Sequence, residues 1–209
     1  MKDMQGHSSG PDPTPLDNIR QSVMSAINAS RPDGSERIQS QVEKGKQIKE
    51  AESSYCDVGI AADLTRVGQV LGMNIYLSQE YKDPARTLAN NNAAIHRLIE
   101  MVYRPVGEGV FGVPRGVLNI FCDVEGSTIA FNRGGTIFLN LRFYLAWHDA
   151  KVAAAQPGDA IISVFHSIAH ELAHNLVTGH NSEHEYYTAA ISEQHFLKLG
   201  GLLKSVGAL

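Results

Sequence analysis

The chain has 209 residues, 18 Lys and Arg against 22 Asp and Glu, and a formal charge of −4. With no run of Lys or Arg, that balance argues against a nucleic-acid surface. No stretch approaches a transmembrane length, and the opening MKDMQGHSSGPDP lacks the apolar core of a signal peptide, so no membrane partner is expected.

Residues 1–53 hold most of the Pro/Ser/Gly/Asp-rich stretches, HSSGPDPTP and NASRPDGSE. They read as a flexible linker or peripheral helical arm, with a short helix over Leu16–Ile27 and a polar one over Ser35–Ser53. Apolar density rises from Cys56, and residues 54–209 are long enough for one core containing a sheet and several helices. No internal repeat is visible. The two cysteines, Cys56 and Cys122, are far apart and form no CxxC pair. Free thiols in a reducing cytoplasmic or nuclear setting are expected, with one disulfide between them as the alternative.

Asp57–Leu71 and Asp83–Tyr103 are predicted helices, the second with Leu88, Ile95, Leu98, Ile99 and Val102 facing inward. Arg104–Gly116, rich in glycine and proline, reads as a connector. Gly116–Asp123 reads as a strand. Ser127–Asn132 and Thr136–Leu141 are β-branched apolar runs joined by Asn132-Arg133-Gly134-Gly135, a strong hairpin signal. A helix over about Leu141–Ala155, a helix over Asp159–Thr178 and a last helix over about Glu183–Ser205 complete an α+β pattern. A hairpin on an ordinary α+β core accounts for the strands by themselves. Their position before the next segment suggests more, because a free strand edge can hold an extended peptide by main-chain pairing.

That segment, residues 170–180, reads HELAHNLVTGH. His170 and His174 are four apart, so on a helix both imidazoles leave one face, one turn apart. This spacing clasps a single zinc through two nitrogens. Glu171 is rotated about 100° from His170 and is the candidate general base for a zinc-activated water. With nine His and twelve Glu in the chain, HExxH arises by chance about 0.02 times per shuffled sequence, which makes the motif informative. Six of the nine histidines also lie within residues 166–195. Ile161, Phe165, Ile168, Leu172 and Leu176 form a stripe opposite the histidines, so the core would anchor one side of the helix and leave the other facing a cleft. Asp159 reads as the N-cap and Gly179 as the stop. Two surface histidines on an ordinary helix are the competing explanation.

A catalytic zinc needs three protein ligands and an open position. His180 is the preferred third ligand, just past Gly179. Glu183, His184, Glu185 and Glu193 compete for the role. The metzincin glycine position holds Val177, so the turn must differ from that of metzincins. His166 and His174 lie about 12 Å apart along a helix, too far to share one ion. His195 belongs to the last helix and carries no specific signal. Tyr186, Tyr187 and His184 are candidate oxyanion donors. Asn175 and Asn181 either orient the ligands from behind or cap helix ends.

The block FNRGGTIFLNLRFYLAWHDA followed by HSIAHELAHNLVTGHNSEHEYYTAAI resembles the C-terminal region of very large fungal proteins. Those proteins carry a sacsin-related, chaperone-like ATPase domain near the N-terminus. The likeness covers about residues 85–205, and HELxHN-x4-H is also similar to WLM and SprT-like zinc peptidases. The likeness implies His170, His174 and His180 as Zn2+ ligands and Glu171 as base. Together with the strands before the motif, the expected fold is zincin-like, a small mixed sheet with a hairpin packed on the HExxH helix, and the expected partners are an extended or unfolded polypeptide substrate and a chaperone-like ATPase. This chain has no ATPase fingerprint of its own. The expected activity is zinc-dependent peptide hydrolysis. Its rivals are a catalytically weak or inactive zinc-containing module that binds unfolded chains, a DNA–protein crosslink protease, and hydrolysis of a non-peptide amide.

Overall fold

A computed structural model describes residue 21 and residues 24–30, 48–49 and 63–209. Most of the expectations for residues 1–62, including Cys56, lie outside these. Within them, residues 24–29 are helical, inside or just beyond the expected first helix. Ile48–Lys49 is a strand, not part of a polar helix.

The described residues form a mixed α+β fold on one mixed sheet. Its strands are β1 (Ile48–Lys49), β2 (Asp63–Val70), β3 (Met73–Ser78), β4 (Leu118–Cys122), β5 (Ala130–Arg133) and β6 (Thr136–Asn140), in the order β1-β2-β3-β4-β6-β5. The β3–β4 and β4–β6 pairs are parallel, and the other three are antiparallel. The helices are α1 (Pro84–Arg97), α2 (Leu141–Trp147), α3 (Asp149–Ala153), α4 (Gly158–Ala173) and α5 (Ser182–Ser205), with π-helical segments at Leu98–Tyr103 and Pro105–Phe111.

Two expectations fail between residues 57 and 116. The described part of Asp57–Leu71 is strand β2, which turns into β3 through Leu71 and Gly72 at φ of 52° and 79°. Two consecutive positive φ values make the tight turn that suits strand twist, but leucine is not a residue that announces it. Arg104–Gly116 is largely helical instead of a connector. Its second π segment has Pro105 in its first turn, where a missing N–H costs least, and ends at Gly112 with φ 73°. Gly107 lets this segment sit against β4, since a Cβ there would come within 2.5 Å of Leu118 Cδ1.

The remaining elements follow their sequence. Asp83 caps α1 by accepting from Arg86 N at 3.0 Å, and Pro84 opens the helix. Ile95, Leu98, Ile99 and Val102 are fully buried, and Leu88 packs partly against them. Gly134 and Gly135, at φ 59° and 86°, make the β5–β6 turn, with Arg133 opposite Thr136. The helix expected over Leu141–Ala155 is broken at His148 into α2 and α3.

Alternate strand residues serve two cores. Ile75, Leu77, Ile120, Ile137 and Leu139 pack with the helices. Tyr76, Phe121, Phe131 and Phe138 form a second cluster with Leu64 on the opposite face. At the C-terminal end of β6, Asn140 caps α2 by accepting from Arg142 N, and its amide donates to Asp123 Oδ1 and to Thr128 O, each at 2.8 Å. Arg142 Nε donates to the same buried carboxylate at 2.7 Å. A buried charge paired in this way fixes where α2 starts. No described helix is long and apolar enough to cross a membrane. Cys122 is a buried free thiol.

Candidate metal centre

Helix α4 buries the predicted stripe: Ile161, Phe165, Ile168 and Leu172 are at most 1% exposed, and Leu176 packs partly on the same core. The helix is shorter than expected. It starts after Pro157 without a side-chain cap, so Asp159 lies inside its first turn and pairs with Lys151. It ends at His174, five residues before Gly179. This early stop lets the chain turn back over residues 175–181, and Asn181 then caps α5 by accepting from Glu183 N and His184 N. Asn181 therefore serves as a cap.

The turn brings His170, His174, His180 and His184 together, each with one ring nitrogen within 4.8 Å of the others. The six ring-centroid separations run from 4.2 to 5.0 Å. His180 Nε2 lies 3.0 Å from His170 Nε2 and 3.1 Å from His174 Nε2. For comparison, two nitrogens on one tetrahedral zinc are about 3.3–3.4 Å apart. The preferred third ligand thus joins the HExxH pair. His184, weighed on sequence as a rival to His180, joins as a fourth imidazole. The acidic competitors Glu183, Glu185 and Glu193 are not in the group.

Proton bookkeeping shows that the set fits a cation. His174 Nδ1 lies 3.1 Å from Val177 O, and a carbonyl only accepts, so Nδ1 carries the proton of a neutral ring. Its Nε2 then presents a lone pair to the other rings. His180 Nε2 holds at most one proton for two neighbours. His184 is 2% exposed, and its buried Nε2 has no hydrogen-bond partner among the described residues. Burial, reinforced by the charges of its neighbours, lowers the pKa of His170 to about 3. The same causes lower His184 to about 4, against a hydrogen bond to the His170 backbone that favours the proton. The two rings are neutral near pH 7. Converging neutral imidazoles are the donor set of a divalent transition ion.

Glu171 is 1% exposed, and burial together with the Glu171 charge raises the pKa of fully buried Tyr103. Asn132 Nδ2 donates to the Glu171 backbone carbonyl at 2.6 Å and to Asn175 Oδ1 at 2.9 Å. Asn175 Nδ2 in turn donates to Ala26 O at 3.0 Å and Ser30 Oγ at 3.1 Å. Asn175 therefore braces the end of α4. The sequence marks Asn132 only as the end of a strand and the start of a turn, and nothing in the local pattern marks its long-range bond.

His166 is exposed and lies outside the cluster. His195 is buried in α5, with Nδ1 3.0 Å from Ile191 O and its ring 5.0 Å from that of Phe111, so it belongs to the core. Tyr186 is half exposed, and Tyr187 packs partly on the core. No family model, curated protein or solved structure matches the chain.

Proposed function

We propose that the chain is a zinc-dependent metallopeptidase with a zincin-like active site. The observation that carries this reading is an imidazole cluster containing His170, His174 and His180, with a buried carboxylate, Glu171, directly after His170 on the same helix. A structural metal site has no need of a carboxylate beside it. The likeness of HELAHN…H to WLM and SprT-like peptidases and to the sacsin-related fungal proteins supports the same conclusion. Edge strand β5, tied to α4 through Asn132, offers one side for pairing with an extended polypeptide.

A zinc ion held by His170, His174 and His180 would supply Lewis acidity and acidify a coordinated water. The chain's own residues supply the rest. His174 is held by Val177 O in the tautomer that directs Nε2 inward. Glu171 accepts the proton released as water attacks the scissile carbonyl, and returns it to the leaving amine. The expected setting is cytoplasmic or nuclear, with association to a chaperone-like ATPase.

The test is Glu171→Gln. It should keep one zinc per chain and abolish cleavage of an unfolded protein such as casein. Equal turnover by that variant rejects the proposed base.

One observation favours a second reading. His184, with its buried Nε2, can close a four-imidazole metal site, as in structural zinc centres. The chain would then be a zinc-containing module that binds unfolded polypeptides without cutting them. X-ray absorption at the zinc edge separates the two readings by counting imidazole rings through their multiple scattering: four rings support the closed site, and three support the peptidase.

A further inference from the structure

The outer face of α5 presents Phe196 and Leu197, 61% and 90% exposed. About one turn later the helix carries Gly200 and Gly201. Two glycines weaken a helix interior. Neither has a positive φ, and a Cβ at either would meet nothing within 4 Å, so no turn or close packing among the described residues calls for them. We propose that this face of α5 pairs antiparallel with the same face of a second copy of the chain.

Helix periodicity makes the face complementary to itself. Glu193, Leu197, Gly200 and Lys204 project within about 60° of one another, on the side opposite buried Ile191, His195 and Leu199. Phe196 and Gly201 flank this stripe on its two sides. When two such helices run antiparallel about a two-fold axis level with the midpoint of Lys198 and Leu199, residues equidistant from that midpoint come level. Leu197 of each copy then meets Gly200 and Gly201 of the other, and Phe196 lies level with Gly201. The two bulky side chains fill the two notches, and the backbones approach closely. A parallel pair would instead set leucine against leucine and leave the glycines facing each other.

Charge selects the same arrangement. Glu193 and Lys204 are exposed and form no ion pair among the described residues. In the antiparallel pair Glu193 of one copy comes level with Lys204 of the other at both ends of the contact, which fixes register and orientation. A parallel pair would bring Glu193 against Glu193. Lys198 projects about 130° from the centre of the stripe, so the two copies do not oppose like charges there. The contact spans about 16 Å of helix, which suits a reversible dimer more than a permanent one. His184 leaves α5 on its buried side, so pairing and the histidine cluster are separable.

The test is sedimentation equilibrium of the full chain, which should show a monomer–dimer equilibrium. A chain that stays monomeric at about 100 μM overturns the pairing. Leu197→Gln, at a 90% exposed site that folding tolerates, should raise the dissociation constant at least about tenfold without changing the far-UV circular dichroism. Gly201→Leu meets no obstacle within its own chain but closes the notch, and should abolish the dimer. A dimer that survives both substitutions undiminished lies on another surface and overturns the proposal. Glu193→Lys and Lys204→Glu should each weaken self-association by setting like charges level. Mixing these two single variants should restore it, because every level pair then carries opposite charges. No restoration on mixing overturns the antiparallel register.

Discussion

The side chain of Asn132, on the edge strand, donates to the backbone carbonyl of Glu171, on the metal-site helix, across 2.6 Å. The same amide reaches Asn175 Oδ1, and Asn132 Oδ1 accepts from Gly135 N at 3.0 Å in the hairpin turn. One residue thus joins the turn, the strand and the last turn of α4. Asn132→Ala leaves these groups without that partner and is expected to cost about 1–3 kcal/mol of stability, measured by urea unfolding of the metal-free protein. Cleavage should fall further than the folded fraction does, because the strand loses its register with Glu171. Unfolding that coincides with the wild type would show that the tie contributes nothing.

His174 and His184 are expected to respond differently to truncation. His174 is the second histidine of HExxH and is anchored at Nδ1 by Val177 O. His174→Ala should therefore lose zinc on dialysis. On the peptidase reading, His184→Ala keeps one zinc per chain and does not lower cleavage of casein, because three imidazoles remain. If both variants lose the metal equally, His184 is a full ligand and the closed-site reading gains.

The histidine cluster also sets an acid limit. Folded His170 and His184 take up protons only near pH 3 and 4, whereas unfolded histidines do so near 6.5. Below pH 6.5 the unfolded state binds more protons, so stability falls as pH falls. The contribution of these groups is complete above about 6.5 and is lost progressively on the way down to their folded values. Melting temperatures of the metal-free protein should drop steeply between pH 7 and 4. The double variant His170→Asn/His184→Asn should flatten that slope. A wild-type profile that stays level over this range would contradict the described burial of the rings.

Much of the site was legible because HExxH spacing and the opposing apolar stripe are local properties of one helix. Ile161, Phe165, Ile168 and Leu172 show the stripe directly, and all are buried. Legibility failed where long-range packing decides. The last helix, expected from about Glu183 with Asn181 as a candidate cap, is found there, but nothing in the local pattern says that α4 stops at His174, and that early stop brings the fourth ring in. In the same way, Leu71 adopts a left-handed conformation because the β2–β3 hairpin requires it, against its own preference. The Gly134-Gly135 hairpin was readable because glycine is what such a turn asks for.

Gly107 shows how a glycine that suggests a loop can instead mark close packing. Its φ does not require glycine, so on helix propensity alone alanine would be favoured. The obstacle is Leu118, whose Cδ1, Cδ2 and Cγ would lie 2.5, 3.0 and 3.2 Å from the new methyl group. Leu118 is 3% exposed within β4 and has little room to swing away. Gly107→Ala is therefore expected to destabilise by about 1–3 kcal/mol through overpacking. Shortening the opposing residue should reverse part of the loss, so Gly107→Ala combined with Leu118→Val should be more stable than the sum of the single effects predicts. A double-mutant cycle on urea-unfolding midpoints measures that coupling. Simple additivity would mean that the π segment moves off β4 instead of pressing on Leu118.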